Sequence, residues 1–295
     1  MNIFLFHKIY SQNFGFNTWC KLLTRSLKII GHNVFENDYD FISKNKYYPI
    51  GLLGQADLIE NWKLSNPALI NPCAYWHPSQ NPTLFTNPNF KYCIVSCKWL
   101  YEVFSRVYGK DRCLLWFAGI FIEDWTFPNR RKTIDVLIYD KENTQEKTIS
   151  PFIERFIKSK KLSYKVIKYG TYKEDEYKQL LARSKCMFFL SKSETQGLAY
   201  NFAMASNVPI IAWDCKETID INSYFQIDKD IQITSTPYFS SECGVKFTQS
   251  TLKEKFEEFW NNLSNFNPRK YVMENLSPQK SAELYIQYYL QISQE

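Results

Sequence analysis

Phe188-Phe189-Leu190-Ser191-Lys192-Ser193-Glu194-Thr195-Gln196-Gly197-Leu198-Ala199-Tyr200-Asn201-Phe202-Ala203-Met204-Ala205-Ser206-Asn207-Val208-Pro209-Ile210-Ile211-Ala212 is the most informative stretch of the chain. A short apolar strand ends in a polar loop that carries one carboxylate. A single glycine, Gly197, then opens a helix over Leu198–Ala205 that is small and apolar on nearly every face, and Val208–Trp213 follows as a strand. Strands alternating with helices in this way are the signature of an α/β protein with parallel sheets. In such sheets ligands bind outside the carboxyl ends of the strands, where the Ser191–Gly197 loop lies. The unpaired N–H groups and the positive dipole at the helix start suit a phosphate or diphosphate. Glu194 would be repelled by that phosphate unless it faces a neutral part of the ligand, such as sugar hydroxyls. The combination points to a nucleotide sugar, and the rival reading is an ordinary strand-loop-helix connection.

The same alternation extends in both directions. Before it come strands at Ile3–Phe6, Val34-Phe35, Ala56–Ile59, Ala68–Ile70, Tyr92–Val95 and Cys113–Phe117, with helices from Gly15 to Gly31 and over Trp99–Val107. Four Asn-Pro steps between Asn66 and Pro88 force turns and extended loops. A stretch without periodicity follows Gly119, and then a second series begins. It has strands at Ile134–Tyr139, Tyr164–Ile167 and Met187–Leu190, a helix capped by Ser150 before Pro151, and a helix over Glu174–Ser184. Thr251-x-x-Glu254 reads as a capping box for a helix burying Leu252, Phe256, Phe259, Trp260 and Leu263, and Ser277-Pro278 starts a last helix. The expected organisation is a first domain over 1–120, a linker over 121–133, a second domain over 134–275 and a terminal helix over 276–295.

Composition narrows the chemistry. The 295 residues are 45% hydrophobic and 22% charged, which excludes general disorder. Only nine are glycine, and neither G-x-G-x-x-G nor G-x-x-x-x-G-K-[ST] occurs, so nucleotide binding by a glycine-wrapped loop is excluded. Gly51, Gly54, Gly109 and Gly244 read as turn residues, Gly31 as a helix stop, and Gly15 and Gly197 as helix openers. The net charge of +6 permits a polyanion partner, but scattered lysines on a solvated surface explain it as well. Eight cysteines, among them Cys73, include no C-x-x-C pair and several lie in apolar runs, which reads as buried thiols in a reducing compartment. No apolar stretch approaches 18 residues and the start is too short for a signal peptide, so a cytoplasmic protein is expected. The triplets Asp38-Tyr39-Asp40 and Asp228-Lys229-Asp230 have the form of a Mn²⁺ or Mg²⁺ site beneath a diphosphate, but their positions favour solvated turns, and no metal or cofactor is expected.

The quoted stretch resembles the donor-binding motif of GT-B glycosyltransferases of the GT4 type, roughly S-x-x-E-x-x-G-x-x-x-x-E-A-M-A-x-x-x-P-V. Ser191, Glu194, Gly197, Ala203, Met204, Ala205 and Pro209 match in register. A group of bacterial glycosyltransferases sharing the runs Asp135–Lys141 and Glu194–Gly197 is more similar still. Weaker echoes are Gly31-His32-Asn33-Val34, Ile94–Leu100 and Ala118-Gly119-Ile120. The resemblance implies two Rossmann-like domains facing a cleft, with the last helix crossing back to the first domain. It implies transfer of a sugar with retention from a nucleotide-sugar donor to an acceptor left unidentified, whether glycan, small molecule or protein; a nucleic-acid acceptor is a separate alternative that the net charge of +6 permits. Glu194 would contact hydroxyls of the transferred sugar, with Thr195, Gln196, Gly197 and Leu198 around the donor. Lys141, and Lys147 with a one-residue shift, would grip the diphosphate; Lys141 reads equally as a solvated strand-end residue. Tyr172 would stack on the base or be an ordinary surface or core tyrosine. The family's ribose-binding glutamate falls at Phe202, with Asn201 beside it as a possible substitute. His77, in the Asn-Pro loops, is the candidate for acceptor contacts or a base, with His7 as alternative and Gly15 on the same acceptor side. Phe202 also supports a competing reading, a GT-B-like binding protein without turnover.

Overall fold

The computed structural model describes residues 1–8, 14–54, 56–72, 74–127, 131–141, 149–215 and 227–294. Lys147 and Cys73 lie outside these. The chain divides into two compact units: residues 1–119, 220–231 and 276–295 form the first, and residues 120–219 and 232–275 form the second.

The first unit carries β1 (Asn2–His7), α1 (Phe14–Ile29), β2 (Asn33–Glu36), α2 (Tyr39–Lys44), β3 (Ile50–Leu53), α3 (Ala56–Glu60), β4 (Ala68–Ile70), β5 (Phe90–Val95), α4 (Lys98–Tyr108) and β6 (Cys113–Leu115). Its six strands form a parallel sheet in the order β2-β1-β3-β4-β5-β6. The helical spacing of Trp19, Leu23 and Leu27 puts them on the buried face of α1, where the Trp19 ring meets Trp116 edge-on at 4.5 Å. The stretch Ala56–Ile59, expected as a strand, is the helix α3; the strand is Ile50–Leu53 just before it. All four residues of β3 are buried, so the strand lacks alternation, and Gly51 gives it the look of a turn. The first D-x-D triplet is a helix start, with Asp38 accepting from the Phe41 N–H at 3.0 Å to cap α2.

The C-terminal helix (Pro278–Gln294) belongs to this first unit, as expected of a helix crossing back. Its tyrosines are its anchors. Tyr289 accepts from the Phe4 N–H at 2.9 Å and donates to the Pro49 carbonyl, and Tyr288 donates to the Leu115 carbonyl at 2.8 Å. Ser281 accepts at its carbonyl from the Trp116 ring N–H at 2.7 Å. Tyr289→Phe removes one hydroxyl from a buried and a part-buried backbone group, so it is expected to cost about 2 kcal/mol. Urea unfolding should show this as a lower midpoint with an unchanged slope.

The second unit carries β7 (Ile134–Asp140), α5 (Ser150–Ser159), β8 (Tyr164–Lys168), α6 (Glu174–Arg183), β9 (Ser184–Leu190), α7 (Leu198–Ala205), β10 (Ile210–Trp213), β11 (Gly244–Phe247), α8 (Leu252–Asn261) and α9 (Pro268–Asn275). Its parallel sheet runs β11-β10-β9-β7-β8. One core cluster joins Val136 and Ile138 of β7, Phe188 and Leu190 of β9, and Ile153 and Ile157 of α5 to Phe256 and Phe259 of α8. Gly244, read as a turn residue, begins β11 with φ +143°; a Cβ there would overlap the Ile210 carbonyl oxygen on the neighbouring strand and stand 2.8–2.9 Å from the Ile210 carbonyl carbon and nitrogen. Two expected caps differ in detail. Ile149, not Ser150, is the N-cap of α5. Thr251 stands at the N-cap of α8 but makes no capping bond, because its hydroxyl is engaged with Thr248.

Among the described residues no helix is long and apolar enough to cross a membrane. None of the seven described cysteines forms a disulfide, and six of them are buried.

Candidate functional site

In the second sheet the strand order reverses between β7 and β9, which opens a crevice at their carboxyl ends. Three strand ends are laced together there. The Lys141 N–H bonds the Leu190 carbonyl at 2.9 Å, and the Tyr169 N–H bonds the Asp140 carbonyl at 2.8 Å. From this frame Lys141 and Glu194 reach one another: the Lys141 Nζ lies 2.8 Å from both carboxylate oxygens. The Glu194 side chain is only 6% exposed and that of Lys141 26%. The Tyr169 ring lies 4.8 Å from the same ammonium. Lys141 is therefore a fixed partner of Glu194 rather than a solvated strand end. The Glu194 N–H is also held, by the Thr234 carbonyl at 3.1 Å.

The start of α7 adjoins the Glu194 loop. Gly197 is its N-cap, with φ +76° and ψ 55°, a left-handed conformation that glycine adopts without strain. A Cβ at this position would lie 2.5 Å from Cδ1 of the buried Tyr200 ring. The first helical bond runs from the Asn201 N–H to the Gly197 carbonyl at 3.1 Å, so the N–H groups of Leu198, Ala199 and Tyr200 find no acceptor within the helix. Leu198 and Ala199 are half-buried, Thr195 is exposed, and Gln196 is buried. The arrangement offers an anion the open end of a helix, beside a carboxylate suited to accept hydrogen bonds.

Tyr172 belongs to an aromatic cluster. Its hydroxyl is 2.7 Å from that of Tyr139, and its ring lies 5.3 Å from Tyr177. Burial pushes the Tyr172 hydroxyl up to about 12 and raises those of Tyr139 and Tyr177 well above their ordinary value, so all three are neutral donors at pH 7. Tyr169, which sequence reasoning passed over, is the more open ring at 42% exposure. Its position at the carboxyl end of β8, next to β7, was the signal that could have found it.

Phe202, at the place of the family's second glutamate, stacks on Trp125 with ring centroids 4.2 Å apart and planes 11° from parallel. Trp125 comes from the helical turn Ile122–Trp125, inside the stretch read as linker, and carries Lys178 at 5.0 Å from its ring. Asn201 is fully buried. Position 202 is thus an apolar packing position.

The remaining candidates lie in the first unit. Gly15 is exposed near the start of α1, and His7 at the end of β1 lies 3.6 Å from Glu36. His77 caps a helical turn over Pro78–Gln80: its Nδ1 accepts from the Ser79 N–H at 3.2 Å. The Ser79 Oγ also lies 2.7 Å from Nδ1; with Nδ1 accepting from the Ser79 N–H, the neutral ring carries its proton on Nε2. Burial lowers the His77 pKa from 6.5, with Asp228 pulling the other way. Its contribution to stability is therefore complete above pH 6.5 and is lost as the pH falls through the lowered value. A nitrogen-detected NMR titration should place His77 below 6.5 with the Nε2–H tautomer. Asp228 and Asp230, the second D-x-D pair, are both held by Arg106, which meets the Asp230 carboxylate through two nitrogens.

No protein-family model and no curated protein matches the chain. Solved structures do. The catalytic domain of Starch Synthase IV from Arabidopsis thaliana, bound to ADP and acarbose, superposes with a TM-score of 0.66 at 10% identity, covering 100% of this chain and 99% of that one. The fold is that of the GT-B glycosyltransferases. An alpha-glucosyltransferase in complex with UDP and a 13-mer DNA containing a HMU base superposes at 0.59 and 11% identity over 100% of both chains. A chain of the GtfA/B complex gives 0.55 at 11% identity and 84% coverage of this chain, which spans only 58% of the GtfA/B chain. Within the GT-B fold, Lys141, Tyr172 and the Glu194–Leu198 run belong to the second unit, and Gly15 and His77 to the first.

Proposed function

We propose that the chain is a GT4-like glycosyltransferase that moves a sugar from a nucleotide-sugar donor to an acceptor. The observation that carries this reading is the pairing of a buried carboxylate, Glu194, with the open amides of α7 at one topological switch point. The bond between the anomeric carbon and the diphosphate breaks, negative charge grows on the leaving oxygen, and the α7 N-terminus stabilises it without a bound metal. Glu194 accepts hydrogen bonds from the sugar hydroxyls, and the acceptor oxygen bonds to the anomeric carbon with retention as its proton passes to the departing diphosphate oxygen. Tyr172 and Tyr169 border the base. Buried free thiols fit the cytoplasm as the compartment. That a structural neighbour binds UDP and another ADP supports a pyrophosphate-linked donor.

Phe202 favours one other reading, a GT-B-like protein that binds a nucleotide sugar without turning it over. Hydrolysis and binding of a panel of UDP-, GDP- and ADP-sugars separates them. Turnover of one donor is the expected result. Binding without turnover under any acceptor tried establishes the second reading, and no binding at all removes both.

A further inference from the structure

We infer that Lys141 is a positioning residue whose ammonium serves Glu194 and not the diphosphate of the donor. This rests on the donor-site reading above and reassigns one of its groups. An ammonium has three N–H bonds. At Lys141 two point to the Glu194 oxygens, each 2.8 Å away, and the remaining side of the Nζ faces the Tyr169 ring at 4.8 Å. The Lys141 N–H is tied to the Leu190 carbonyl at the end of β9, which sets the side chain's starting point beside the Glu194 loop.

The charges argue the same way. Glu194 is the more buried partner, and a buried carboxylate is strongly destabilised when its countercharge leaves. Moving Lys141 onto a phosphate would strip Glu194 of that charge at the moment when it must hold the sugar. The diphosphate does not need the lysine, since the α7 amides and dipole form an anion site of their own. The residue type also fits. Arginine would occupy both carboxylate oxygens with a planar fork. Lysine places a single point charge between them and takes fewer of their lone pairs than the arginine fork would. Lys141 thus holds Glu194 ionised and oriented, and its effect should appear in recognition of the sugar and not of the nucleotide.

A double-mutant cycle on the whole chain tests this. Wild type, Lys141→Met, Glu194→Gln and the double variant are titrated calorimetrically with UDP, ADP and GDP, and with UDP-glucose, ADP-glucose and GDP-glucose. Lys141→Met should keep its affinity for the tightest nucleoside diphosphate within about threefold while losing on the order of tenfold toward the matching nucleotide sugar. In the Glu194→Gln background the same substitution should add less than about twofold, because its target is gone. The melting temperatures should follow: Lys141→Met alone lowers it, and adding Glu194→Gln restores it. If Lys141→Met does not fold, the double variant compared with Glu194→Gln still answers the question. A loss of tenfold or more toward the bare nucleoside diphosphate, equal in both backgrounds, overturns the inference and leaves the donor site standing. Absence of nucleotide binding by the wild type overturns both.

Discussion

Gly197→Ala is expected to destabilise the protein by about 3 kcal/mol and to abolish donor binding. Two separate costs meet at this position. A residue with a Cβ is strained in the left-handed conformation that starts α7, by about 1–2 kcal/mol. The added methyl also falls against the Tyr200 ring, which cannot yield: it is fully buried, lies 5.2 Å from Phe189, and accepts the Tyr238 N–H at 3.0 Å through its hydroxyl. Overpacking of that kind costs about 1–3 kcal/mol more. A melting-temperature drop of roughly 5–10 °C follows. Gly31→Ala is the control, since Gly31 has φ +87° but open space around it and pays only for the backbone. If both variants melt together, the Tyr200 contact plays no part. Any displacement of the helix start turns its amides away from the ligand, so donor affinity should fall even in the folded fraction.

Glu194→Gln is the second large effect, and it falls on activity. Glutamine keeps the shape of the side chain but lacks the charge and one acceptor. The loss should be on the order of 100-fold in kcat/KM for the nucleotide sugar, since hydrogen bonds to a charged group strengthen as the sugar gains positive character. Stability should change little, because Lys141 is partly exposed and its ammonium can turn to water. Affinity for the bare nucleoside diphosphate should stay within about threefold. An equal loss for nucleotide and nucleotide sugar would mean that Glu194 faces the phosphates, contrary to the arrangement argued above.

Much of this was legible in the sequence, for physical reasons. Strands β7 and β9 are buried on both faces and read as continuous apolar runs, and α1 shows its face through Trp19, Leu23 and Leu27. Strands β3 and β11 stayed hidden because each contains a glycine that packs against a neighbour, Tyr285 for Gly51 and the Ile210 backbone for Gly244. A glycine chosen for close approach looks like one chosen for a turn. Within the site, the loop, Glu194 and the helix start were readable because they are contiguous. The Lys141–Glu194 pair was not, since 53 positions separate its members and only the strand order brings them together. Phe202 stood out as a departure from the motif, but its partner Trp125 sat in a stretch without periodicity. His77 was found as a rare histidine, and its capping role needed coordinates because the deciding bond is to a backbone N–H.

The central claim is that the second unit holds a nucleotide-sugar donor between Glu194 and the start of α7. A crystal structure of the whole chain with the donor selected by the panel tests it most directly. Diphosphate oxygens are expected within hydrogen-bond distance of the Leu198 and Ala199 amides, and sugar hydroxyls on the Glu194 carboxylate. A donor bound elsewhere on the chain, or bound here with its sugar turned away from Glu194, would contradict it.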